Sequence, residues 1–188
     1  MHGGLIKLKR QVFFSFHFEN DIWRTAQIRN IGEIEGQRLF SDNGWEKVRL
    51  KNEDAIKRWI DKELDMRSCI VVLIGEETAS RHWVQYEIQE AWTRGKGVLA
   101  IYINGLKDSL GQTSKKGKNP LELFCIDKTM NYIAKRSDPL DEDELNLADV
   151  CITFESNYSF SKNIFQDITE NITDLIEKSI EIRNRYPK

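Results

Sequence analysis

Apolar residues in this chain follow two patterns. In one they form short unbroken runs, and in the other they return every third or fourth position. The runs "QVFFSF" (11–16), "CIVVLIG" (69–75), "GVLAIYIN" (97–104) and "VCITF" (150–154) predict buried strands. "CIVVLIG" is uniformly apolar and rich in β-branched residues, as a central parallel strand covered on both faces should be. A short edge strand is expected around Leu39 and Phe40, followed by a turn at Asn43-Gly44.

The helical pattern appears four times. Residues 20–31 place Ile22, Trp23, Ala26, Ile28 and Ile31 at loosely helical spacing, with Asn20 or Asp21 as the cap. Residues 52–66 form an amphipathic helix capped by Asn52, with Ala55, Ile56, Trp59, Ile60 and Leu64 inward. Ser80 is expected to cap a helix that runs to about Arg94 and closes at Gly95, with a core stripe of Val84, Ile88, Ala91 and Trp92. A long amphipathic helix covers 160–185 through Phe160, Ile164, Ile168, Ile172, Ile176 and Ile180. Between the last two strands lies an irregular insert at about 105–149. It holds a lysine-rich loop, a small hairpin near 124–135 and an exposed acidic turn at Asp141 to Glu144.

Buried strands that alternate with amphipathic helices predict an α/β fold, a three-layer sandwich around a mostly parallel sheet. About five strands in this order suit a flavodoxin-like arrangement in a single domain over 1–188. In such a sheet, ligands bind at the carboxyl ends of the strands, beside the first one.

Composition narrows the function classes. The chain has 188 residues, 40% of them apolar and 31% charged, which suits one domain with a substantial core. A net charge of -2 gives no pull toward nucleic acid or an anionic membrane. No apolar run approaches the roughly 20 residues that span a bilayer. The opening "MHGGLIKLKRQVFFSFHFEND" lacks a small-residue cleavage site and reads as a strand rather than a leader. Cys69, Cys125 and Cys151 are odd in number and far apart, so they read as buried free thiols of a cytoplasmic protein. No paired Cys or His spacing predicts a metal site.

The familiar phosphate sites of this fold are absent. The turn after the first strand, "SFHFEND", has no glycine for a dinucleotide fingerprint. "GQTSKKGKN" (111–119) misses the P-loop pattern by one residue and ends in Lys118-Asn119. A phosphoacceptor receiver needs acids at the end of the first strand and an aspartate ending the third. Those positions hold Ser15, Phe16 and His17, and then Gly75.

The strand ends carry other chemistry. Ser15, Phe16 and His17 close the first strand, and Trp45 follows Asn43-Gly44 in the second connection. His82, Trp83, Tyr86 and Glu87 open the helix after the third strand, and Asn119-Pro120 lies beyond the fourth. On the expected topology these converge on one edge. Glu87 is four residues after Trp83 and shares its face, adjacent to the core stripe. A carboxyl group beside aromatic rings has a raised pKa unless a partner offsets it. Arg94 and Lys96 are the candidate partners, and Glu76 and Glu77 are rival carboxylates for the site.

"VFFSFHFEND", "CIVVLIGEETASRHWVQYEIQEAWTRGKGVLAIYINGLKD" and "GKNPL" resemble the TIR-like proteins of the bacterial Thoeris antiphage systems, over about residues 11–120. The resemblance implies a flavodoxin-like fold and an NAD-processing activity, with NAD as substrate and no bound cofactor. Its catalytic glutamate matches Glu87, and its segment around the nicotinamide ribose matches Ser15, Phe16 and His17. Where related proteins carry "GPNPF", this chain has Lys118 and Leu121 in place of Pro and Phe. Trp45, Trp83 and Asn119 complete the expected substrate-binding set. One ionised carboxylate suffices for breaking the nicotinamide–ribose bond, because the leaving group departs neutral. Capture of the ribosyl cation within the same molecule gives a cyclic ADP-ribose, and capture by water gives the linear form. A separate effector protein that senses the product is the implied partner, and self-association is open. Two other readings stand beside this one: a non-catalytic scaffold acting through protein association, and a module that binds a nucleotide without turning it over.

Overall fold

The computed structural model describes residues 10–31, 34–36, 52–127, 132–136 and 140–186. Its main sheet has five parallel strands: β1 (Arg10–Ser15), β2 (Ile34–Gly36), β3 (Cys69–Ile74), β4 (Gly97–Tyr102), and a fifth strand late in the chain, Ile152–Phe154. The order across the sheet is β2-β1-β3-β4 and then Ile152–Phe154, which is the flavodoxin-like order. β3 pairs with β1 on one side (Val12 opposite Cys69, Ser15 opposite Val72) and with β4 on the other, and all six of its residues are buried. The expected edge strand near Leu39 and the turn at Asn43-Gly44 lie outside the described residues. The described edge strand is Ile34–Gly36.

Period-two alternation divides the core into two layers. Phe13, Ile70, Val72, Ile74 and Ala100 face one side, where α2 (Glu53–Asp65) and α3 (His82–Thr93) cover them. Val12, Phe14, Val71, Leu73, Leu99 and Ile101 face the other, under α1 (Phe18–Arg29) and a 24-residue C-terminal helix, Ser161–Asn184. That helix buries Ile164, Ile168, Ile172 and Ile176, one per turn. Asn52 caps α2 as expected, its side chain accepting from Ala55 N at 3.1 Å. Gly95 takes a left-handed φ of 71° after α3, where Lys96 N donates back to Ala91 O at 2.9 Å.

Three local expectations change. Helix α1 begins at Phe18, with His17 in the capping position, so neither Asn20 nor Asp21 caps it. Its buried face is Asp21, Arg24, Thr25 and Ile28, while Trp23 is 60% exposed. Hydrogen bonds set this phase rather than apolar spacing: Arg24 donates to Leu106 O and Gln112 O, both at 2.9 Å, and pins the loop after β4. Ser80 does not cap α3. It ends a short 3-10 turn, Thr78–Ser80, and its hydroxyl donates to Glu77 O, while Arg81 takes the cap position without a side-chain bond.

The insert builds a second sheet. β5 (Phe124–Asp127) is the centre of three antiparallel strands, between β6 (Ile133–Lys135) and β7 (Glu144–Asn146). The hairpin was expected, but the third strand was not, because its pattern is hidden in the acidic run. A one-turn helix, α4 (Leu147–Val150), then leads into the last parallel strand, β8 (Ile152–Phe154). The C-terminal helix is α5. Cys69, Cys125 and Cys151 are buried and form no disulfide, and burial pushes the Cys151 thiol up to about 12. Among the described residues, no helix is long and apolar enough to cross a membrane.

Candidate functional site

Ser15 and Phe13 are two apart on β1 and face the same side, toward α3. Above them, α3 buries Val84, Glu87, Ile88, Ala91 and Trp92. Glu87 therefore lies within the buried stripe, not beside it, at a position where helical spacing calls for an apolar residue. Its side chain meets the strand below: Ser15 Oγ donates to Glu87 Oε2 at 2.5 Å. Ser15 is 1% exposed and Glu87 8%. Two polar groups are thus paired inside an otherwise apolar layer.

The surroundings of Glu87 form a cleft at the carboxyl end of the sheet. Phe16, Phe18, Ile56 and Val84 supply apolar wall, and Trp83 stands one turn before Glu87. His17, Glu19 and Arg81 make the polar side. Trp83 is braced edge-on by Tyr86, with ring centroids 5.9 Å apart. Tyr86 itself turns away and donates to Asp61 Oδ1 on α2.

Burial pushes the Glu87 carboxyl up to about 8, and the Ser15 hydrogen bond opposes this only in part. Among the described residues no cation pairs with it. Arg94 is engaged by Asp61, Asp65 and Glu90, and Lys96 reaches the Asp65 carbonyl. The rival carboxylates are solvent-facing, with side-chain exposures of 43% for Glu76 and 49% for Glu77. His17 is nearly buried, and burial together with Arg81 lowers its pKa below the usual imidazole value.

Of the residues singled out from sequence, Ser15, Phe16, His17, Trp83 and Glu87 come together here. Trp45 lies outside the described residues. Asn119 is not among the residues lining the cleft. It caps the 3-10 turn Pro120–Leu123, accepting from Leu121 N and donating to Thr153 Oγ1 at 2.9 Å. The lysines of its loop also lie elsewhere: Lys116 pairs with Glu155 at 2.6 Å and sits over the Tyr102 ring, and Lys115 is 3.9 Å from Glu76. Arg81 and Ile56 line the cleft without having been weighed as site residues. The arginine stands within the "SRHW" that opens the helix, and that position was its only signal.

A buried carboxyl group without a cation, facing apolar and aromatic walls, is suited to receive a positively charged, flat ligand. The profile of the family described as "Thoeris protein ThsB, TIR-like domain" matches residues 13–108, which runs from within β1 to the loop after β4. A protein of Bacillus cereus (strain MSX-D12) named "Putative cyclic ADP-D-ribose synthase ThsB1" is 34% identical over 120 residues. That match covers 61% of this chain and 62% of the relative, so it spans less than two thirds of the relative's length.

Proposed function

This chain belongs to the Thoeris ThsB TIR-like family, and on that premise we propose that it cleaves the nicotinamide–ribose bond of NAD and makes a cyclic ADP-ribose-type signal nucleotide in antiphage defence. The observation that carries this reading is Glu87: a buried carboxyl group with no cationic partner among the described residues, held by Ser15 in an aromatic cleft. The name of the Bacillus relative supports the product class.

The chemistry follows from the charge of the substrate. The nicotinamide ring of NAD is a fixed cation. Brought beside Glu87, it supplies the positive charge the pocket lacks and draws the carboxyl into its ionised form. When the C1′–N bond breaks, the electron pair goes to the ring nitrogen and nicotinamide leaves neutral. The positive charge moves to the ribose C1′ and O4′, where the Glu87 carboxylate stabilises it. No general acid is needed, unlike the paired carboxylates of ordinary glycosidases. Attack on C1′ by a nitrogen of the adenosine half closes the ring, and one proton passes to solvent. Attack by water gives linear ADP-ribose instead. Phe16 and Trp83 serve as stacking walls that hold water away from C1′, which favours closure.

In this reading NAD is substrate, not resident cofactor, and the product acts on a separate effector protein. Incubating the purified protein with NAD and separating the products tests it: nicotinamide together with a cyclic nucleotide is the expected pair. A scaffold without turnover draws support from exposed Trp23, Leu110 and Phe160, but it gives no reason for placing a glutamate in the core stripe of α3.

A further inference from the structure

Glu77 is one of the two acids that follow β3, and the cleavage chemistry does not use it. One of its oxygens is nevertheless crowded by donors. Arg81 Nη2 donates to Glu77 Oε2, Asn20 Nδ2 donates to the same oxygen at 3.1 Å, and His17 Nδ1 stands 3.7 Å from it. Two helices contribute: α1 through its cap position and first turn, and α3 through its cap position. His17, Arg81 and Glu87 line one cleft, so this cluster lies at the rim of the site that holds the carboxyl group.

The donors are only partly satisfied. His17 Nδ1 and Arg81 Nε are both buried without a hydrogen-bond partner. The imidazole side chain is only 7% exposed, so water does not readily make up the difference. In addition, α3 has 12 residues from His82, and Arg81 in its cap position gives its first N–H groups no side-chain acceptor. A planar carboxylate offering one oxygen does not fill such a set. A phosphate carries more oxygens in a tetrahedral spread. It can take Arg81 through Nε and Nη2 together and still reach His17, Asn20 and the helix end.

We propose that Arg81, Asn20, His17 and the amino end of α3 form a phosphate cradle, and that Glu77 occupies it in the free protein as an internal competitor. The ligand class is a diphosphate, and the identity of that diphosphate as part of a dinucleotide rests on the function proposed above. Glu77 is 49% exposed and sits at the edge of a short 3-10 turn, so it can swing into solvent when the phosphate arrives. Its cost to binding is that of breaking an exposed ion pair. Glu77 is thus a specificity-setting residue: it selects against weak anions and admits those that satisfy every donor.

Calorimetric titration of the full chain with inorganic pyrophosphate tests the cradle without relying on turnover. Glu77→Gln should bind pyrophosphate roughly fivefold more tightly than wild type, near the upper value of an exposed pair. Arg81→Gln should bind it about tenfold more weakly or worse, because it loses a charged, bidentate donor. Asn20→Asp places a second acid against the same oxygen and should weaken binding too, so the result does not depend on one variant folding well. Unchanged affinity across these variants, or no pyrophosphate binding by the folded wild type and Glu77→Gln proteins, overturns the cradle. Pyrophosphate binding with this pattern, in a protein that leaves NAD intact, upholds the cradle and counts against the proposed reaction instead.

Discussion

Ser15 Oγ lies 2.5 Å from Glu87 Oε2 and joins the end of β1 to the second turn of α3. Both residues are buried, and the contact lies in a layer that is otherwise apolar. A hydroxyl stabilises an ionised carboxylate by donating to it, yet one hydroxyl does not offset full burial, and the carboxyl remains up at about 8. The pair is therefore a carboxyl group held in place but left short of charge.

That state has a thermodynamic signature. The folded pKa of Glu87, about 8, lies above its ordinary value of 4.5. Between those pH values the folded protein holds a proton that the unfolded chain has released. Stability from this group is then full below about 4.5 and is lost as pH rises through 8. Glu87→Gln removes the penalty. Thermal melting should show the variant level with wild type near pH 4.5 and more stable by up to a few kcal/mol at pH 8.5. A constant offset at all pH values would argue against a raised Glu87.

Under the proposed reaction, the same group sets the pH dependence of cleavage. The free enzyme must ionise Glu87 to bind and react, so kcat/KM for NAD should rise with pH toward a plateau above about 8. In the complex the cationic ring lowers the pKa, so kcat should level off at lower pH than kcat/KM. Steady-state rates from pH 6 to 9.5 measure both limbs.

Ser15→Ala should act through Glu87. Losing the hydrogen bond removes the one contribution that lowers the carboxyl pKa, so the kcat/KM limb should move to higher pH. The rate at pH 7 should fall about tenfold, in line with the loss of a charge-assisted hydrogen bond. A uniform fall with no movement of the limb would leave Ser15 as a packing residue only.

Trp83 makes a prediction of a different kind. Losing a stacking wall weakens binding of a flat ring by roughly 1–3 kcal/mol. Trp83→Ala should therefore raise KM for NAD about tenfold or more, and the Tyr86–Asp61 hydrogen bond should leave α3 in place. Circular dichroism checks the helix while initial rates give KM.

Much of this architecture was legible in the sequence because packing wrote it there. The unbroken run at 69–75 and the four-residue spacing of Ile164, Ile168, Ile172 and Ile176 each have one physical reading, and the structure carries both. The phase of helix α1 departs from its apolar spacing because its inward face is Asp21, Arg24 and Thr25, and Arg24 bonds both to Asp21 and to a loop about 80 residues away. No local pattern announces such partners. The third strand of the small sheet was hidden for a related reason: Glu144 lies in a run of acids, and its carboxylate is engaged by the Cys125 thiol. At the site, Glu87 was visible as an acid among aromatics. Its place inside the core stripe became clear only with Ser15 beneath it, and Arg81 and Glu77 acquired meaning only once α1 was placed against them.

The loop after β4 offers a structural test apart from catalysis. A Cβ added at Gly117 would stand 2.0 Å from Gly75 O and 2.8 Å from Glu76 O. Both are backbone atoms at the end of β3 and cannot rotate away. Gly117→Ala should cost about 1–3 kcal/mol in urea unfolding, the usual range for overpacking. An unchanged midpoint would mean that the loop does not press on that turn.

The central claim is that Glu87 is the carboxylate that cleaves NAD. Nicotinamide release from NAD, followed by chromatography at high protein concentration with wild type and Glu87→Gln side by side, tests it most directly. The account predicts release by wild type and a fall of at least about 100-fold in the variant, the scale for losing a preorganised electrostatic group. Release that persists in Glu87→Gln and disappears in Glu77→Gln would contradict it.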